Sequence, residues 1–397
     1  MIKWIYVDNF KALRGFQMDF HPFTVIVGNN MSGKSTVLQA LDFLANLVRE
    51  DFGVILERRG WKVSDIKSQL QESEQITMIC EMELSVEAEL VPVRWEIDIL
   101  AFPERNIFEL ARETVWLGNK VPLLSYCSLI DTADSNFIQD GIGGRMMVLP
   151  KFQMNASILK MMDFSEYPIL RALKDFWRNS DSFELLSPEK MRLSGKGEVD
   201  TIGSSGEKLT AFIKSMNREQ KDQFSEKIKD VMKERIGRVE ARIKEKTDWI
   251  QLIAEEKFNQ KTLLIESKNM SDGMLRLLAF LAICEIEKKG VFLLDEIENG
   301  INLDYAEKII RILEENCIDK NNQMIVTTHS PIFLDYVAKE NIRYMYREPD
   351  TGACRCSRLT DSEALNEKMD YLYPGELFMN MGNSEIIDQL LSGGDAR

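Results

Sequence analysis

The sequence predicts an α/β fold in which a mixed, mainly parallel sheet carries a phosphate-binding loop. An antiparallel β-meander is expected in the N-terminal part and a helical lobe after it. Three observations carry this expectation. The strand-like run Phe23-Thr24-Val25-Ile26-Val27 leads directly into a complete G-x-x-x-x-G-K-S pattern at Gly28 to Ser35, and residues at helical spacing follow. Residues 76–126 hold four strand-like stretches whose connections are too short for crossover helices. Beyond residue 260, strands and helices alternate, as in a parallel sheet covered on both faces.

Taken in order, residues 2–7 and 23–27 are rich in β-branched and aromatic residues and read as strands. Leu38, Leu41, Leu44, Ala45 and Val48 mark the helix after the loop. The stretches 76–84, 91–100, 112–117 and 121–126 form the meander, punctuated by Pro92 and by Gly118-Asn119. Residues 131–146, rich in Asp, Gly and Ser, read as an exposed loop. From about residue 155 the texture is helical. Leu209, Phe212, Ile213 and Met216 share one face, as do Phe224, Ile228, Val231 and Met232, and Lys and Glu fill the other faces through residue 246. The basic residues between Lys227 and Lys246 are interleaved with acids, which suits a solvated, ion-paired helix face; a nucleic-acid contact is the alternative. Strands are expected at 260–266, 290–294 and 324–328, with helices at 272–288 and 304–316. The resulting division is an N-terminal lobe (1–150), a helical lobe (151–260) and a C-terminal lobe (261–397).

Composition bounds the function. With 44% apolar and 29% charged residues, the 397-residue chain can bury a sizeable core. Its net charge of −14 argues against coating nucleic acid through bulk charge, while leaving room for a local basic groove. The six cysteines are scattered. Cys354 and Cys356 make a C-x-C with no second ligand pair nearby, so free thiols in a reducing cytosol are expected. Neither the first ten residues nor the apolar run from Leu275 to Ile286 suits a signal peptide or a membrane span, so a soluble cytoplasmic protein is expected.

The chemistry concentrates in a few motifs. In Gly28-Asn29-Asn30-Met31-Ser32-Gly33-Lys34-Ser35-Thr36, backbone amides of the loop and of the helix N-terminus would face phosphates. Lys34 would neutralise them, and the Ser35 hydroxyl is a hard oxygen ligand for Mg²⁺. Met31 stands where related loops often carry Gly, so no positive φ is expected there. Val291 to Leu294 reads as a buried strand that delivers Asp295 and Glu296 at its C-terminal edge. Asp295 would enter the Mg²⁺ shell, and Glu296 would orient or deprotonate an attacking water. Alone, such an acidic pair could equally cap a helix. Ser271-Asp272-Gly273 stands 22 residues before Asp295, counted from Gly273, and His329 stands 33 residues after Glu296. The other histidine, His21, precedes Pro22 in an expected turn.

This ordered set resembles the ABC-type ATPase head of SMC, RecF and MutS-like proteins, and most closely the OLD-like ABC ATPases frequent in bacterial phage-defence operons. The resemblance is carried by the Walker motifs and by Asn9-Phe10-Lys11-Ala12-Leu13-Arg14-Gly15-Phe16. Met270-Ser271-Asp272-Gly273-Met274-Leu275-Arg276, Asp295-Glu296-Ile297-Glu298-Asn299-Gly300-Ile301 and Tyr373-Pro374-Gly375-Glu376-Leu377 add to it. It implies ATP with Mg²⁺ as cofactors and a head-to-head homodimer. Ser271 and Gly273 would then meet the γ-phosphate of ATP held by a second protomer. His329 would be the switch histidine, and residues 298–304 the loop crossing the interface. For the family's Q-loop, Gln153 is the candidate and Gln75 its rival. A transporter head is disfavoured: 237 residues separate Lys34 from Ser271, and no LSGGQ occurs.

The function this implies is an ATP-driven dimerising switch serving an anti-phage defence module. Only 68 residues follow His329, too few for a fused Toprim nuclease, so the effector, a nuclease or toxin, is expected in trans. Asp361 and Glu363 read as solvated loop acids. The alternative is a RecF-like DNA repair or recombination clamp, which needs a basic groove. A scaffold that scarcely hydrolyses its nucleotide is disfavoured by the intact Asp295-Glu296 pair.

Overall fold

Alternate side chains on the central parallel strands enter two different cores, which defines the architecture. In the computed structural model, which describes residues 1–128, 136–141, 146–150, 154–184, 187–244, 247–259 and 261–393, these strands belong to a six-stranded sheet. Its spatial order is Asp181–Phe183, Val291–Leu294, Gln323–Thr327, Phe23–Gly28, Ile342–Arg347 and Cys354–Arg358. All neighbours pair in parallel except the last. Ile26, Val291, Leu293, Ile325 and Met345 point to one core, and Val25, Val27, Phe292, Leu294, Met324 and Val326 to the other. That is the period-two alternation of a sheet buried on both faces.

The first core is closed by the helix Lys34–Leu47 and by an eight-stranded antiparallel sheet. Its long strands, Gln75–Val86, Glu89–Phe102, Ile107–Leu117 and Val121–Cys127, are the expected meander. They run further than the sequence suggests because Glu87 and Ala88, both at positive φ (50° and 70°), make a two-residue hairpin turn. Such turns ordinarily announce themselves with Asn or Gly. The second core holds the helices Asp272–Ile283, Ala306–Asp319, Leu209–Ser215 and Arg218–Met232.

Several expectations need correction. The helical reading through residue 246 fails at Met232. Ile236–Ile243, Ile250–Phe258 and Lys261–Glu266 form a three-stranded antiparallel sheet instead. Arg238 and Arg242 both ion-pair with Glu240, while Val239 is buried, so this charged segment has period two. The helix expected over 272–288 ends at Ile283, and Glu285 turns fully inward to ion-pair with Lys227 and, at 3.2 Å, with Lys320. Within the expected loop at 131–146, much of which lies outside the described residues, Phe137–Gln139 is a short strand, and Met146 opens another, Met146–Val148. All six cysteines are free, and no cluster of potential metal-ligating side chains occurs among the described residues. No described helix is long and apolar enough to cross a membrane.

Candidate nucleotide site

The phosphate loop sits at the C-terminal end of the strand Phe23–Gly28, and its shape depends on contacts far away in sequence. A Cβ on Gly28 (φ 145°) would overlap the carbonyl of Met345, and one on Gly33 (φ 100°) would approach the Cys354 sulfur at 2.5 Å. Both glycines are therefore required by close packing as well as by backbone angle. Met31 adopts φ 67°, contrary to expectation, with its side chain 84% exposed. The loop turns through the left-handed region there, a conformation that disfavours any side chain, and Arg347 Nε donates to the Met31 carbonyl at 2.8 Å. Asn29 and Asn30 are exposed, Ser35 and Thr36 half-buried at the start of the helix.

Lys34 is only 5% exposed, and its Nζ donates to the carbonyls of Gly28 (2.9 Å) and Asn29 (2.8 Å). Burial lowers its pKa to about 8, against the raising influence of Asp295, Glu296 and Glu298. Ser32 Oγ is buried with no hydrogen-bond partner, an orphan donor facing no protein acceptor. A glycine loop leading into a helix N-terminus, with a held ammonium and an orphan hydroxyl, fits a polyphosphate.

At the end of the strand Val291–Leu294, separated from the loop strand by Gln323–Thr327, Asp295 Oδ1 accepts from Ser35 Oγ at 3.2 Å and from Thr327 Oγ1 at 2.5 Å. The Thr327 hydroxyl also accepts the Glu296 N–H at 2.8 Å. Glu296 is held at φ 50°, and Asn299 Nδ2 donates to its Oε2 at 2.8 Å. Glu298 accepts from Thr328 Oγ1 (2.8 Å) and from the His329 backbone N–H (2.6 Å), which fixes the turn carrying the histidine. The His329 pKa is lowered, first by burial and then by Lys34. Ser35 and Asp295 supply hard oxygens of the kind that hold Mg²⁺ alongside substrate phosphates, so the residues present fit that ion.

Lys34, Ser35, Asp295, Glu296 and His329 thus converge at the ends of three adjacent parallel strands. Ser271 and Gly273 do not join them. Ser271 caps the helix Asp272–Ile283, its Oγ accepting the Met274 N–H at 3.3 Å. Both residues line a separate cleft of 510 Å³ with Met270, Asn302 and Tyr305, and no described lining residue comes from the phosphate loop or the acidic strand end. A Cβ on Gly273 would meet the Gly300 carbonyl at 2.5 Å, so the signature turn packs directly on the loop after Glu296. Gln153 lies outside the described residues. Its rival Gln75 is exposed at a strand start and donates to Thr77 Oγ1 at 3.2 Å. Asp361 and Glu363 are exposed. Sequence reasoning missed Thr327, Asn299 and Arg347. The first two had a signal, since they stand two residues before His329 and three after Glu296.

The Lys34 shift makes a pH prediction. Its ammonium is half-deprotonated at about pH 8 and loses its charge progressively as pH rises through that value, while bound phosphates would hold the charge. The affinity for ATP should therefore fall above about pH 8, with net proton uptake on binding. Calorimetric titrations in buffers of different ionisation enthalpy measure that uptake; pH-independent affinity across this window would contradict it.

The fold is that of an SMC-type ATPase head, with the phosphate loop and the acidic strand end at one edge of its parallel sheet. The comparisons agree at this level. A family model described as "AAA domain, putative AbiEii toxin, Type IV TA system" matches residues 173–335, and a second, described as "AAA domain", matches residues 5–115. No curated protein matches the sequence. Among solved structures, an SMC head bound to the C-winged helix domain of ScpA has a TM-score of 0.55 at 16% identity, covering 90% of this chain and 96% of that one. A Pyrococcus furiosus SMC head domain with an extended coiled coil, bound to the C-terminal domain of ScpA, has a TM-score of 0.52 at 14% identity, covering 93% and 99%. At such identities the likeness establishes the fold.

Proposed function

We propose that this chain binds and hydrolyses ATP with Mg²⁺ in the cytoplasm and closes head to head with a second copy around two nucleotides. The observation that carries the reading is the split between the two half-sites. Lys34, Ser35, Asp295 and Glu296 gather at one strand edge, while Ser271 and Gly273 line a cleft that contains none of them. In this reading residues 1–150 and 261–397 form the ATPase lobes, with 151–260 a lobe between them. Lys34 neutralises the phosphates, and Ser35 and Asp295 hold Mg²⁺, which supplies charge neutralisation at the leaving group. Glu296, positioned by Asn299 and by the Thr327 hydroxyl, accepts the proton of the attacking water. His329, whose pKa is lowered by burial and then by Lys34, offers a ring N–H to the γ-phosphate. Ser271 of the second copy completes the site.

The biological role we infer is regulatory: an ATPase of an anti-phage defence module whose effector, a nuclease or toxin, is a separate polypeptide. The motif resemblance to OLD-like ATPases supports it, as does the toxin–antitoxin description of the matched AAA family. Phage plating on cells carrying the native locus tests this. Wild type should reduce plating and Lys34→Ala should restore it; equal plating on both strains would contradict a defence role.

A further inference from the structure

Although the chain has a net charge of −14, one cleft is lined by cations alone among its charged residues. Lys229, Lys233, Arg235, Lys257 and Lys261 line an open cleft of 1020 Å³ between the end of the helix Arg218–Met232 and the three-stranded sheet, with Phe258 among them. No carboxylate belongs to its described lining. Asp230, beside Lys229 in sequence, is engaged by Lys308 (3.1 Å) and Arg311, whereas Arg235 is itself paired with Glu256 (2.6 Å), which leaves the four lysines as the cleft's unpaired cations among the described residues. The four lysines are exposed, and among the described residues no ion pair engages them.

The backbone is arranged to present these groups. Lys233 ends the helix at φ 56°, ψ −148°, a conformation that glycine takes freely and a lysine does not. Gly237 stands where the strand register shifts between Ile236 and Arg238, and the aliphatic chain of Lys257 lies across it. A Cβ at Gly237 would stand 2.5 Å from Lys257 Cε, so the glycine lets the Lys257 chain lie across it. Phe258 is 45% exposed beside Lys257 and pairs with Lys261 across the hairpin.

From this geometry we infer that the cleft is a docking surface for single-stranded nucleic acid. Four exposed lysines that no described ion pair engages can track a phosphate backbone, and an exposed aromatic ring among them offers a stacking face to an unpaired base. A duplex would satisfy the lysines but hides its base faces from Phe258. An acidic protein segment would also satisfy them and gives the ring no planar partner. The cleft shares Arg235 and Ile236 with the signature cleft, so a docked strand would lie beside Ser271. The inference stands on the lysines and Phe258 alone and does not depend on how the ATPase works.

The test is fluorescence anisotropy of full-length protein with a labelled oligothymidylate, with the corresponding duplex and polyglutamate as competitors. Wild type should bind the single strand with a log–log salt slope of about −3, from four phosphate contacts at roughly −0.7 each. The Lys229→Glu, Lys233→Glu, Lys257→Glu, Lys261→Glu protein should lose on the order of 100-fold in affinity, with an unchanged thermal melt and unchanged basal ATP turnover. Phe258→Ala should lose about fivefold or more. Undiminished binding by the charge-reversed protein overturns the surface. Stronger competition by the duplex, or wild-type affinity in Phe258→Ala, overturns the single-strand assignment. Stronger competition by polyglutamate makes it a site for an acidic protein instead.

Discussion

Lys34→Ala should abolish useful ATP binding, raising Kd on the order of 100-fold or more, as expected for losing charge-assisted contacts to phosphate inside a water-poor loop. The ammonium is pre-placed: it is 5% exposed and already held by the carbonyls of Gly28 and Asn29, so binding phosphate requires little rearrangement of the side chain. Removing a buried cation leaves those two carbonyls to water and should not unfold the protein, which circular dichroism checks. Isothermal titration of the folded variant with Mg-ATP reads the effect. Unchanged affinity would remove the phosphate-loop assignment.

Glu296→Gln should leave ATP affinity intact and lower turnover by about 10²–10⁴-fold, the usual contribution of a positioned general base. Glutamine has the same shape, can still accept from Asn299 through its amide oxygen, and keeps its backbone bond to Thr327 Oγ1. It cannot take a proton. Closed, ATP-loaded dimers should therefore accumulate, visible as a doubled mass by light scattering. Turnover at the wild-type rate would show that Glu296 is not the base.

The parts of the site that could be read in the sequence are those fixed by local chain geometry. A glycine loop between strand and helix, and two acids ending an apolar run, need only neighbouring residues to be recognised. What could not be read depends on contacts remote in sequence. Arg347 steadies the Met31 carbonyl from 316 positions away, and Cys354 and Met345 enforce the two glycines. The left-handed Met31 follows from that tertiary fit and from no local preference. The three-stranded sheet at 236–266 was hidden for another reason. Its strands alternate Arg and Glu that pair along one face, and such charge patterns also suit a solvated helix. The Glu87-Ala88 turn likewise uses residues that carry no turn signal.

If each ATP site is completed by a second copy of the chain, two inactive variants should complement each other when mixed. Ser271→Arg should lose ATP turnover while binding ATP as a monomer, because its own phosphate loop is untouched; Lys34→Ala should neither bind nor turn over. Mixed together, they form heterodimers in which the intact loop of one meets the intact Ser271 of the other. Turnover should reappear in the mixture and rise with the heterodimer fraction. Turnover that stays at the level of the separate variants, with heterodimers shown to form, would contradict completion of the site by a second copy.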